Sequence, residues 1–108
     1  AYLVHQGTVY FSNFGDQRLY RQKLGESPVA ITPEVAWRYA DAVLDLRHDR
    51  LICVREDDTG KGEAVKTIVA IPLNGNDEQA ILVFGYDFFS SPRLSPDGKY
   101  LAWICWNH

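Results

Sequence analysis

The sequence contains no methionine, and only two of its 108 residues are cysteine, Cys53 and Cys105. A chain that lacks Met and opens on Ala-Tyr-Leu-Val is expected to be a piece of something larger. Two thiols fall far below the density of a disulfide scaffold, and neither sits in a C-x-x-C pair, so both are expected to be reduced strand residues. No apolar run reaches the roughly 18 residues that span a bilayer. There is no basic stretch leading into an apolar signal segment and no N-x-[ST] acceptor, so no membrane or secretory class is indicated and the cytoplasm is the expected default location. Positive charge is also in short supply. The net charge is -3 and the 11 basic residues are scattered, which leaves no electrostatic footprint for a phosphate backbone and excludes nucleic acid as a partner.

Helical periodicity is nearly missing as well. Pro33 to Ala40 is the one patch that could hold a helix, with Thr32 as cap and Pro33 at the first position, but it is short. It reads better as a connection into a strand, Ala42 to Leu46, that ends at a turn over Arg47-His48-Asp49.

What is present is strand chemistry. Aromatic residues make up 13% of the chain, with three Trp, six Tyr and five Phe, and such side chains fit pleated surfaces. Short apolar segments bounded by Gly, Asn, Asp or Pro recur: Thr8–Ser12, Arg18–Leu24, Pro28–Thr32, Arg50–Arg55, Val65–Leu73, Gln79–Phe84 and Lys99–Trp106. The turn Ser95-Pro96-Asp97-Gly98 is strongly specified, Pro setting φ and Gly supplying a positive φ. The polar stretch Asp57–Glu63 is expected to be a loop.

The segments repeat. Val9, Leu51 and Leu101 begin equivalent strands 42 and then 50 residues apart, near the period of a propeller blade. The predicted fold is all-β, a β-propeller segment of four-stranded antiparallel blades, with one complete blade flanked by two partial ones. With strands lettered from the innermost outward, residues 1–34 supply strands b to d of one blade. Residues 39–85 supply a complete blade, and residues 86–108 supply strands a and b of the next. Alternation along Leu51–Val54 and Leu101–Trp106 makes both strand faces apolar. A blade pressed between neighbours buries both, whereas an exposed sheet keeps one face wet. The competing reading is a core strand of a β-sandwich.

Ser91-Pro92-Arg93-Leu94-Ser95-Pro96-Asp97-Gly98-Lys99-Tyr100-Leu101-Ala102-Trp103 closely resembles the repeat of TolB-type propellers and of the propellers of prolyl-oligopeptidase-like serine peptidases. With Tyr39-Ala40-Asp41, Val54-Arg55-Glu56-Asp57 and Trp106-Asn107-His108, the whole chain resembles the N-terminal propeller of the acylaminoacyl-peptidase and dipeptidyl-aminopeptidase type. It covers about two blades of a ring that in this family has about seven. The resemblance implies a propeller that caps and gates an α/β-hydrolase domain of a serine peptidase acting on short peptides. The implied partners are the rest of the propeller, the hydrolase domain and, through the parent, a short peptide; a homo-oligomer is also allowed. The alternative is a TolB-like, non-enzymatic propeller that binds protein partners.

No catalytic residue can be assigned. Ser12, Ser27, Ser90, Ser91 and Ser95 lack the G-x-S-x-G elbow that presents a nucleophilic serine. His5, His48 and His108 have no metal spacing, and His48 reads as a turn residue. Glu56-Asp57-Asp58 with Glu63 lacks the alternating acids of a calcium loop, and Thr59-Gly60-Lys61-Gly62 lacks the spacing of a phosphate loop. No metal and no cofactor is implied. Trp103 and Trp106 read as packing between blades. The candidate substrate-binding residues are Arg55 and Glu56, at the end of a blade's second strand, where side chains reach the rim that would face a hydrolase domain. A salt-bridged rim is the plainer role for the pair.

Overall fold

The computed structural model describes residues 2–75 and 78–108, which form strands joined by turns, with no α-helix among them. The strands are β1 Tyr2–His5, β2 Thr8–Ser12, β3 Leu19–Lys23, β4 Val29–Ala30, β5 Trp37–Asp45, β6 Arg50–Asp57, β7 Val65–Pro72, β8 Ala80–Val83, β9 Phe88–Leu94 and β10 Leu101–Trp106. They make three antiparallel meanders in chain order: β1-β2-β3-β4, β5-β6-β7-β8 and β9-β10. The first two are four-stranded blades of a propeller and the third is a two-stranded part of another, and the sheets do not close into a ring. Among the described residues no helix is long and apolar enough to cross a membrane.

Two segments depart from the sequence reading. Tyr2–His5 adds β1 to the first sheet, beyond the b-to-d strands assigned there. The link from β1 to β2 is a two-residue turn at Gln6-Gly7 with φ of 47° and 77°, and His5 faces Thr8 across it. Positive φ at both central residues marks the hairpin turn whose twist suits the flanking strands, but Gln is a rare occupant and leaves little trace in the sequence. The second departure is Trp37–Ala40, read as a connection, which is instead the first half of β5. Asp41, at φ 55°, makes a bulge between Ala40 and Val43 and breaks the alternation that would mark one continuous strand.

The core explains why both faces of β6 and β7 are apolar. Leu51, Cys53, Val69 and Ile71 pack with Leu19 and Ile31 of the first sheet. Their neighbours Ile52, Val54 and Ile68 point the other way and pack with Phe89 of the third. Ile52, Ile68 and Val69 have no exposed surface. The middle sheet is thus pressed between two others, the arrangement expected of a blade and not of a sheet with a wet face.

Polar ties fix the angle between sheets. Arg21 donates from Nη1 to the Leu73 carbonyl at 2.6 Å, joining the first sheet to the turn after β7. At that turn Gly75 has φ 76°, and a Cβ there would lie 3.1 Å from the Ala30 carbonyl oxygen, so glycine is what lets the two sheets approach. Arg47, in the 3-10 turn Leu46–His48, donates to the Asp97 carbonyl of the third sheet's hairpin at 3.2 Å.

Candidate functional site

Trp37, at the start of β5, and Arg55, near the end of β6, lie at one end of the middle sheet. Arg55 continues the row Leu51 and Cys53 toward the first sheet and is only 8% exposed. Its guanidinium carbon lies 3.9 Å from the centre of the Trp37 ring, a cation–π stack. Its Nη1 donates to Gln79 Oε1 at 2.9 Å, and Gln79 Nε2 donates to Tyr39 Oη at 2.8 Å. Burial raises the Tyr39 phenol above its ordinary pKa, against the opposing hydrogen bonds of Gln79 and Thr32. Among the described residues no carboxylate comes within ion-pair distance of Arg55.

Glu56 continues the other row, Ile52 and Val54, and so lies on the opposite face of β6. It stands across from Arg38 of β5 and Lys66 of β7, a basic-acidic-basic ladder that is favourable on a sheet surface. These residues line a groove of about 370 Å³ together with Tyr39, Val54 and Phe88. Lys66 Nζ lies 4.8 Å from the Phe88 ring centre, and Phe88 stacks on Trp106 at 5.3 Å. The two residues expected to act together therefore face different grooves: Arg55 is locked between the first two sheets, and Glu56 opens toward the third.

A second cavity, of about 240 Å³, lies where β1, β5 and β9 come together as the first strands of the three sheets. Leu3, Leu19 and Leu51 form its apolar part, and Tyr10 and Tyr39 add aromatic walls, while Tyr2 and Phe11 border it from the other face of the first sheet, where Phe11 stacks on Tyr20. Asp41 and Arg93 also line it. The Asp41 Oδ2 accepts from the Ser91 backbone N–H at 3.1 Å, tying the bulge of β5 to β9. Ser91 has the same left-handed φ as Asp41, 55°.

At the opposite end of β5, Asp45 is 1% exposed and takes hydrogen bonds from Arg50 Nε at 2.8 Å and His48 Nδ1 at 2.9 Å. Burial pushes its pKa up, but the hydrogen bonds and charges of Arg50 and His48 outweigh that and hold it below the ordinary carboxylate range. An Asp–His pair is half of an acyl-transfer constellation, yet no serine hydroxyl hydrogen-bonds to His48 among the described residues, and Arg50 shares the carboxylate. The pair closes a turn. Cys53 is buried and its thiol is pushed up to about 12 by that burial, so it is no nucleophile. Trp103 and Trp106, on β10 of the two-stranded third sheet, keep 39% and 45% of their surface.

Sequence reasoning missed the Trp37–Arg55–Gln79–Tyr39 network, whose members are far apart in the chain. It also missed the meeting of Asp41 with Arg93 at one cavity. A signal for that cavity was available: Asp41 and Ser91 are 50 residues apart, the same step as Leu51 to Leu101, and so occupy equivalent places in successive blades.

No protein-family model and no curated protein sequence matches the chain. Solved structures do. The chain is similar to a puromycin-hydrolysing peptidase of Mycobacterium tuberculosis, with 38% identity and a TM-score of 0.87 over all of this chain. It is also similar to a puromycin hydrolase, with 32% identity and TM-scores of 0.84 for a mutant complexed with PGG and 0.83 for the enzyme itself. The chain spans only 19–20% of those proteins' length.

Proposed function

We infer, from the premise that this chain is a propeller segment of the prolyl oligopeptidase family, that it helps to cap and gate the α/β-hydrolase domain of a serine peptidase acting on short peptides. The segment would do no chemistry itself. The observation that carries this reading is the middle blade, buried on both faces between its neighbours. A wall so packed is stiff, since close-packed interiors deform little. A stiff ring over a catalytic cleft selects substrates by size without any specific contact. The solved structures of similar sequence supply the chemical context, because they are peptidases or hydrolases by name.

Of the two rim residues, Glu56 is the one we assign to substrate contact, since its side chain lines an open groove. Arg55 acts as a positioning residue that holds Trp37 and Gln79 in place. Specificity of the acylaminoacyl or dipeptidyl type is part of the same proposal. So is a cytoplasmic location, which suits two unpaired cysteines.

The experiment compares hydrolysis of short chromogenic peptides with digestion of a folded protein by the full-length enzyme. The reading expects cleavage of the peptides alone, and a Glu56→Gln variant with a raised KM and little change in kcat. An enzyme that digests folded protein as readily as peptides would refute the gate. A full-length protein without hydrolytic activity would favour the TolB-like binding propeller.

A further inference from the structure

We propose that the cavity between β1, β5 and β9 binds a free aromatic amino acid, its ring among the tyrosines, its carboxylate on Arg93 and its ammonium on Asp41. Size is the first argument. A cavity of about 150 Å³ holds a benzene ring, and this one, at about 240 Å³, has room for a ring with a short polar head. Its aromatic walls, Tyr10 and Tyr39, come from β2 and β5 and suit edge-to-face or offset contacts with such a ring.

Charge is the second argument. Arg93 and Asp41 line the same cavity but form no ion pair with each other, nor with any other group among the described residues. Arg93 donates to its neighbour's carbonyl, Pro92 O, at 2.9 Å, which leaves most of its donors free. Asp41 accepts the Ser91 N–H with Oδ2, and a carboxylate has acceptor sites to spare. Two opposite charges held apart on one apolar cavity match a zwitterion. A simple anion would meet Asp41 and a simple cation would meet Arg93, both of which are exposed at the mouth of the cavity. A longer peptide cannot offer both its termini to two groups on one small cavity.

Backbone geometry is the third. Bulges re-aim side chains, and the ladder of β5 with β6 is irregular where Asp41 takes its left-handed φ. The ladder of β9 with β10 is irregular near Ser91 and Arg93. The inference does not depend on the peptidase reading, because binding is measured directly.

The test is calorimetric titration of the full-length protein with L-phenylalanine, N-acetyl-L-phenylalanine, phenethylamine and L-leucine. L-Phenylalanine is expected to bind, and loss of either charged head or of the ring should weaken binding about tenfold or more. Asp41→Asn keeps a residue type that tolerates the left-handed φ and should abolish the preference for L-phenylalanine over its N-acetyl derivative. Arg93→Gln should abolish the preference over phenethylamine. Thermal melts of both variants establish that they are folded. No binding of L-phenylalanine at millimolar concentration, or preferences unmoved in both folded variants, would overturn the proposal; the second result would place any bound ligand elsewhere, including a catalytic cleft.

Discussion

Ile52→Ala removes three carbon atoms from a side chain with no exposed surface, packed between β6 and the third sheet. At about 0.8 kcal/mol per buried methylene, the transfer loss is about 2.4 kcal/mol. Incomplete collapse of the cavity raises the total to about 3–4 kcal/mol. Leu51→Ala removes the same number of atoms from the other face of the same strand, where the residue is 1% exposed against the first sheet. Its expected cost is the same, about 3–4 kcal/mol. Ile81, on β8, keeps 53% of its surface, and Ile81→Ala should cost about 1 kcal/mol or less. The assay is urea unfolding of the full-length protein followed by tryptophan fluorescence, with the denaturant slope unchanged so that midpoints compare directly. Adjacent positions on a strand with one wet face would differ sharply. If Leu51→Ala and Ile52→Ala differ by more than about 2 kcal/mol, the middle sheet is not buried on both sides and the blade reading fails.

Asp45→Asn should cost about 2 kcal/mol at neutral pH by weakening its charged hydrogen bonds to Arg50 and His48. Because the folded-state pKa of Asp45 lies below the ordinary value, its contribution is present above the unfolded pKa of about 3.9 and is lost as pH falls through the lowered folded value. Parallel acid titrations of stability should therefore converge, and a gap that widens toward low pH would contradict the assignment. Native-state alkylation at neutral pH should label Cys105 and spare Cys53, whose buried thiol is pushed up to about 12, until the protein is unfolded. Equal labelling rates, read by mass spectrometry, would refute that burial. Gly98→Ala places a Cβ 3.3 Å from Arg47 Cβ at a φ of 73° and should cost about 1–2 kcal/mol in thermal or urea unfolding, whereas no loss would mean that the hairpin is not held against Arg47.

Much of the architecture follows from local chemistry that the sequence displays. Alternation along Leu51–Val54 announces two apolar faces, and the repeat from Val9 to Leu51 to Leu101 announces blades. Ser95-Pro96-Asp97-Gly98 specifies its hairpin, in which Asp97 Oδ1 accepts from the Lys99 N–H at 3.0 Å and Ser95 Oγ from the Tyr100 N–H at 3.0 Å. Each of these signals depends on neighbours a few residues apart. β1 escaped because its turn uses Gln6, and the first half of β5 escaped because one left-handed residue, Asp41, shifts the alternation by a step. The sites are of another kind. Arg55 and Glu56 are adjacent in sequence, but the pleat sends them to opposite faces, and only the packing of three sheets decides that one is locked against Trp37 while the other lines a groove. Asp41 and Arg93 lie on different blades, and the angle between sheets that brings them to one cavity is fixed by long-range ties such as Arg47 to Asp97. Periodicity reports which way a side chain points within its own strand, whereas the space it meets there is set by the sheet that packs against it, a relation between distant segments that exists only in the folded chain.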